Sequence, residues 1–542
     1  MRRKEPCPGP HRSLTVAAPM RVQSHDRSVQ SHDRKGVVLL LALCLARSLA
    51  AASLPEKIDR AIEASPAARV AFWGIQVVDL QSGKTLYQRN PASFFVPASN
   101  TKLFTAAVAL TRLGPDYTFV TRVLADAAPD SAGLIAGDLC LAGGGDPNLS
   151  ARAIPYRKGP AAGNPLAAIE DLADQVAARG VKRIAGSIVG DDTWYVWQPY
   201  ATGWGIEDPK SDDGPPVSAL TINDNTITLS VHPAEHAGEI AWLTLNPPLE
   251  YYRIGNRVRT GAAGSVRHVS FDRLPDSLEA QLWGALPLGD RGQDLPLGIQ
   301  DPARYAAMAF RRALEDRGIV VEGDAVARHR FPNELPGLHT APPEPAGPGG
   351  HPSGQPGGPT GFELARRVSA PLVEDLRITA KVSQNLHAEL ALRAVGKARH
   401  NLGSFEAGLD ELKAFLAEAG IDSESYSFHD GSGLARLNLV TPAAVVRLLR
   451  FMYASPAREN WISLLPVGGQ DGTLANRFGN GAPAAGKVHA KTGSLSHVSA
   501  LSGYIERPRG GWLAFSILVN NYNTRAADVR GVMDQICNFM VE

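Results

Sequence analysis

The sequence predicts a multi-domain α+β protein, with an antiparallel sheet flanked by helices and a large β-rich insertion between its two halves. Three observations lead there. At 542 residues the chain exceeds what a single core supports, so two to four domains are expected. Strand pairs stand near both ends, each beside a terminal helix. Between them, roughly 122–361 carries many short strand and turn signals and little long helix apart from 166–179 and 302–317.

The elements follow in chain order. Residues 1–52 read as a leader. RKGVVLLLALCLARSLAAAS (34–53) has a basic start, an apolar run of signal-peptide length and small residues where cleavage would occur. The run is short for a membrane span, which disfavours the alternative of an uncleaved anchor. The tandem VQSHDRSVQSHDRK ahead of it makes the basic region too long, so the start codon is expected downstream, at Met20. Leu43 before Cys44 disfavours lipid attachment. Export to the periplasm or beyond is the expectation.

After the leader come a helix at about 55–64 and two strands in VAFWGIQVVDLQSGKTLYQRN, turning at Gln81-Ser82-Gly83-Lys84. A helix follows in VPASNTKLFTAAVAL (96–110), which has apolar residues at helical spacing after Pro97. The insertion ends in a Pro/Gly-rich segment (341–361) that cannot pack a core and reads as a mobile loop. VSALSGYIERPRGGWLAFSILVNN forms the second strand pair, turning at 507–510, and an amphipathic helix in TRAADVRGVMDQICNFM closes the chain.

Charge and cysteine content exclude several classes. The first 52 residues carry nine Lys and Arg against three Asp and Glu, and the rest carries 46 against 51. A net charge near −5 gives no basic surface for nucleic acid. Cys7 and Cys44 lie in the leader, leaving Cys140 and Cys537, whose pairing stays open. No Cys and His cluster has metal-ligand spacing, so neither metal nor cofactor is expected.

Chemistry enters at Ser99. A serine there would be an ordinary N-cap, but a capping box wants Glu or Gln three residues on, and Lys102 occupies that position. A cation in the first turn opposes the helix dipole. Ser and Lys three apart do share a helix face, so a lysine of lowered pKa could take the serine proton. One Ser-x-x-Lys is a weak signal. Two further motifs strengthen it: Ser383-Gln384-Asn385 at the start of a helical pattern, and Lys491-Thr492-Gly493 at the start of a strand, each occurring once.

These motifs, in this order, resemble the penicillin-binding proteins and serine β-lactamases. The long separation of Ser99 from Ser383 is similar to one branch, the low-molecular-mass class C penicillin-binding proteins (the D-alanyl-D-alanine carboxypeptidase/endopeptidase family). GDLCLAGGGDPNL, PVSALTINDNTITL, DGSGLARLNLVTP and LPVGGQDGTLANRF resemble it too, so the likeness runs from about 54 to 542 outside the Pro/Gly segment. Gln384 departs from the Asp often found there, at the tolerant middle of its motif. The resemblance implies the penicillin-binding-protein/serine β-lactamase-like transpeptidase fold. A catalytic domain would take 53–121 and 362–542, with accessory structure in 122–361.

It also implies roles. Ser99 is the acylated nucleophile and Lys102 its base; Ser383 relays a proton to the leaving amine, and Asn385 holds Lys102 and the substrate amide. Lys491 and Thr492 bind the substrate's terminal carboxylate, while Gly493 keeps the strand bare for substrate. The backbone N–H groups of Ser99 and Ser494 form the oxyanion hole. Asp192, beside Asp191, would hold the free amine of a diaminopimelate side chain. Asp430-Gly431-Ser432-Gly433 and Asp471-Gly472-Thr473 are read as supporting loops. Trp194, Tyr195 and Trp204 are read as buried aromatics in preference to a sugar platform. The expected activity is that of a serine D-alanyl-D-alanine carboxypeptidase and endopeptidase on peptidoglycan stem peptides, with β-lactams as covalent inhibitors and peripheral membrane or wall association left open. A β-lactamase or esterase on the same scaffold, or a catalytically silent wall-binding protein, are the rivals.

Overall fold

Both ends of the chain meet in one sheet. In the computed structural model, residues 52–542 are described except 160–162, 336–360, 480 and 509. The expected leader, nearly all of the Pro/Gly segment and Arg509 of the last hairpin therefore lie outside the described residues. Strands of four residues or more are numbered here.

Helix α1 (Leu54–Ala64) precedes β1 (Phe72–Asp79) and β2 (Thr85–Arg89). Pro97 opens a 3₁₀ turn, Ala98–Asn100, that runs into α2 (Thr101–Arg112). Far along the chain, β14 (Val488–Leu495), β15 (Val498–Glu506) and β16 (Trp512–Asn520) complete the sheet before α10 (Ala526–Val541). The order is β14-β15-β16-β1-β2, antiparallel throughout. β15 and β16 are buried along almost their whole length, which requires cover on both faces. One face takes α1 and α10, through Ile58, Ile62, Met533 and Ile536. The other takes α2 with α5 (Leu372–Lys381), α6 (Asn385–His400), α7 (Phe405–Glu418), α8 (Pro442–Ala454) and α9 (Arg458–Leu464), around Phe104, Leu390 and Leu448.

Between the halves, β3 (Val120–Ala125), β4 (Leu139–Ala142), β5 (Ile188–Asp191), β12 (Ala325–Arg328) and β13 (Phe362–Val368) make a mixed sheet of order β12-β5-β4-β3-β13. The helices α3 (Ala167–Ala178) and α4 (Pro302–Glu315) belong to the same core as this sheet. β3 pairs with β13, so the borders expected at 121/122 and 361/362 cut this sheet; its strands begin at Val120 and end at Val368. Two three-stranded sheets extend the insertion: β11-β6-β7, from Gln293–Gly298, Thr226–His232 and Trp242–Asn246, and β8-β10-β9, from Arg253–Gly261, Glu279–Pro287 and His268–Arg273. Cys140 and Cys537 are both free thiols.

Candidate active site

Ser99 stands inside the 3₁₀ turn ahead of α2, not at its N-cap, and caps nothing. The turn is strained: Ala98 has φ +48. Two glycines make room for it. A Cβ on Gly493 of β14 would meet Pro97 O at 2.6 Å, and one on Gly433 would meet Ala98 O at 1.9 Å. Gly493 is thus required by the backbone beside Ser99, a reason for glycine that the sequence did not show. Asn100 Nδ2 donates to Lys491 O at 3.0 Å, tying the turn to the sheet.

Lys102, one turn on, is almost wholly buried. Its Nζ lies 3.0 Å from Ser99 Oγ, 2.5 Å from Asn385 Oδ1 and 2.6 Å from Ser432 O. All three partners are neutral. Burial therefore dominates and lowers the Lys102 pKa to about 7, against the upward pull of Asp430, Glu389 and Asp213. A lysine half deprotonated at neutral pH, in contact with a serine hydroxyl, is a competent base.

The second lysine mirrors the first. Lys491 is fully buried and places Nζ 2.8 Å from Ser383 Oγ and 2.8 Å from Thr492 O. Burial, then the charge of Lys102, holds its pKa well below the usual lysine range. Ser383 has φ +67, so the hydroxyl is presented by strained backbone. Thr492 Oγ1 pairs with Thr473 Oγ1 at 2.8 Å. Ser494 points its hydroxyl elsewhere, to Arg530 at 3.4 Å.

Two features were invisible in the sequence. Gln384, the middle of its motif, is the N-cap of α6: Oε1 accepts from Leu386 N at 3.0 Å while Nε2 donates to Asp224 Oδ2 at 3.0 Å. Behind it, buried His387 sits between Asp375 Oδ1 at 2.7 Å and Asp224 Oδ1 at 3.1 Å, with Arg152 also on Asp224. Burial opposes the charge of His387, but the two carboxylates push its pKa up to about 9. Asp224 is held below the usual carboxylate range: burial would raise it, and His387 and Arg152 outweigh that. Asp224 lies in a turn with three successive positive φ values at Asn223, Asp224 and Asn225. An accessory-region turn thereby grips the segment carrying Ser383.

The Asp430 loop is a support, as expected. Asp430 accepts from Gly433 N, Ala435 N and Asn438 Nδ2 at 2.6–2.7 Å, and from Trp204 Nε1 at 3.0 Å. Buried Glu389 accepts from Gly431 N and Ser432 N, each at 2.9 Å. Together they fix the carbonyl of Ser432 against Lys102. Asp471 accepts from Lys381 Nζ at 2.6 Å, and Gly472 packs on Lys381 O. Trp194 and Tyr195 are buried, with Lys397 Nζ 4.1 Å over the Trp194 ring.

Asp192 is not gathered into this cluster. It is 2 % exposed, accepting from His329 Nδ1 at 2.9 Å on one oxygen and from Ser218 Oγ at 2.8 Å on the other. Trp197 stacks on His329, whose rings lie 4.0 Å apart, and Asp301 stands 3.5 Å from Nε2. Burial disfavours a charged His329, yet Asp192 and Asp301 push its pKa up to about 10. The expected free carboxylate is here an internal ion-pair partner, because the chain supplies its own cation. Among the described residues no group of three or more His, Cys, Asp or Glu could hold a metal ion.

The sequence profile of the D-Ala-D-Ala carboxypeptidase 3 (S13) family matches residues 54–335 and 355–542. A D-alanyl-D-alanine carboxypeptidase of Actinomadura sp. (strain R39) is 37% identical over 481 residues, 87% of this chain and 81% of that protein. The crystal structure of penicillin binding protein 4 from Haemophilus influenzae superposes with a TM-score of 0.72 at 25% identity, covering 89% of this chain and 98% of the other. A second structure of that protein, complexed with a β-lactam, gives a TM-score of 0.69 at 24% identity over the same shares.

Proposed function

The chain belongs to the D-Ala-D-Ala carboxypeptidase 3 (S13) family, and on that premise we propose that Ser99 is the residue through which it acts. It is a serine-type D-Ala-D-Ala carboxypeptidase and a penicillin-binding protein with the fold of that group. The observation that carries the site assignment is Lys102 Nζ at 3.0 Å from Ser99 Oγ, with every hydrogen-bonding partner of that lysine neutral.

The chemistry then runs as acyl transfer. Lys102, unprotonated, takes the Ser99 proton as Oγ bonds to the carbonyl carbon between two D-alanines. The N–H groups of Ser99 and Ser494 hold the oxyanion. The C–N bond breaks, and the departing amine takes its proton through Ser383, supplied by Lys491. The proton that Lys102 took from Ser99 passes on to restore Lys491, and water then hydrolyses the Ser99 ester, the freed Lys102 taking the water proton and returning it to Ser99 Oγ. The substrate's terminal carboxylate sits by Lys491 and Thr492. Its charge restores the ammonium form of Lys491 that burial disfavours, so binding readies the proton donor. Asn385 holds Lys102 with Oδ1.

Cleavage of cross-links, alongside removal of terminal D-alanine, is part of the same proposal. So is action in the periplasm or outside the cell: residues 34–53 have the pattern of an export signal, and no helix among the described residues is long and apolar enough to cross a membrane. Mass spectrometry after exposure to benzylpenicillin tests the assignment. One stable adduct on the wild type, absent from Ser99→Ala, is the expected result. Fast turnover without an adduct would favour a β-lactamase, and no reaction would mean that the cluster is not catalytic.

A further inference from the structure

We propose that the solvent face of the two three-stranded sheets in the insertion binds the glycan strands of peptidoglycan, using a row of aromatic rings and one arginine that crosses them. The inference rests on the peptidase reading only in taking peptidoglycan as the substrate polymer. None of these strands contributes a residue to the Ser99 site.

The row follows from register. His232 of β6 pairs with Trp242 of β7, and Arg257 of β8 pairs with Trp283 of β10, which pairs with Ser270 of β9. An antiparallel bridge between Ile240 and Arg259 joins the two sheets, with Ala241 N donating to Val258 O at 2.9 Å. Two residues on in that register, Trp242 comes alongside Arg257. The row is therefore His232, Trp242, Arg257, Trp283, Ser270. At about 4.8 Å per strand, His232 to Trp283 spans about 14 Å.

All of it lies on one face. Side chains alternate across these strands, and Val231, Val258 and Leu282 point into the core while their neighbours face water. Trp242 and Trp283 remain 52 % and 43 % exposed, which is unusual for the largest apolar side chain. The Trp242 ring is held in place: it stacks on His232 with centroids 4.0 Å apart and planes 18° from parallel. Ordering it on binding therefore sacrifices little entropy.

The surroundings favour a sugar over a protein. A protein interface wants a contiguous apolar core. Here the row on one side is polar, with Thr244 of β7, Gln281 of β10 and Asp272 of β9 exposed and Asp272 paired with Lys210 at 2.6 Å, and the row on the other holds exposed Ile240 beside Arg259. A pyranose ring offers an apolar C–H face for stacking and hydroxyls at its rim, and this pattern of rings beside hydroxyl, amide and carboxylate groups complements both. Arg257 adds a cation for carboxylates borne by the polymer. Its neighbours are engaged, Arg253 with Glu279 at 3.4 Å and Arg259 with Gly238 O at 2.9 Å. The row would hold the polymer while Ser99 works on its peptide branches.

The test is binding of the full protein to intact sacculi, by co-sedimentation, and to glycan strands freed of peptides by an amidase and coupled to beads, by pull-down. Trp242→Ala/Trp283→Ala should bind both at least about fivefold more weakly, with Arg257→Ala losing about two- to threefold. Acylation by benzylpenicillin and D-alanine release from a soluble pentapeptide should stay within twofold, which shows that the variants fold. Unchanged binding of the double variant would overturn the proposal. So would wild-type binding to intact sacculi but not to peptide-free glycan, or a change of oligomeric state as the sole effect. Should Ser99 fail to acylate while glycan binding persists, the peptidase assignment alone falls.

Discussion

Two buried charge clusters lie within a few residues of each other and resolve burial in opposite ways. Around Ser99, Lys102 and Lys491 meet hydroxyls, an amide and carbonyls, and burial drives both pKa values down. Around Asp224, His387 and Arg152 meet carboxylates directly; the carboxylates win and the imidazole stays charged to about pH 9. Burial alone decides neither outcome. Between these two clusters the difference is whether a carboxylate stands within hydrogen-bond reach of the cation. The first cluster is the one proposed as catalytic and the second as its brace, and Gln384 joins them.

The sharpest break would come at the first cluster. Ser99→Ala should lower D-alanine release by about 10⁴-fold or more, and Lys102→Met by about 10³-fold, measured as kcat/KM on a soluble peptide. The loss should lie in acylation, with thermal stability of both variants close to wild type or above it. A Lys102→Met enzyme within tenfold of wild type would remove the distinction between the clusters.

The second cluster should behave as a brace. Asp224→Asn leaves His387 and Arg152 short of a carboxylate, so stability should fall by about 3–5 kcal/mol in a denaturant titration. Catalysis should fall by about 10- to 100-fold through loss of Ser383 geometry, with KM changed much less than kcat. Normal kcat in the variant would show that the accessory turn does not position the motif.

Proton linkage should split the clusters by sign. His387 binds its proton more tightly folded than unfolded, so its contribution is complete below about pH 6.5 and vanishes as pH rises through about 9. Lys102 binds its proton less tightly folded, so its penalty is complete below about pH 7 and fades towards 10.5. The stability difference between wild type and His387→Gln should therefore shrink from pH 6.5 to 9. The advantage of Lys102→Met should shrink across pH 7 to 10.5. Parallel curves for either pair would contradict the linkage.

The smallest effect belongs to Ser494→Ala. Its hydroxyl meets Arg530, and its proposed part is a backbone N–H, so activity should stay within about threefold.

What was legible in the sequence was local. Ser99 with Lys102, and the two later motifs, carry their chemistry in three or four adjacent residues, and the strand pairs at both ends announce themselves by pattern and turn. The rest depends on contacts between distant segments. Gln384 looked like a tolerant position because its partner is 160 residues away. Asp224 and His387 show no spacing signal, since a turn and a helix bring them together. The reason for Gly493 lies in the Pro97 carbonyl, and Asp192 is occupied by a histidine from a strand end 137 residues on.

The central claim is that burial without a carboxylate makes Lys102 a base at neutral pH. The rate of acylation by benzylpenicillin, followed by mass spectrometry from pH 5 to 9, tests it most directly. The account predicts a rate that rises with one apparent ionisation near pH 7, and a low, flat profile for Lys102→Met. A wild-type rate that is flat across this range, or that falls as pH rises, would contradict it.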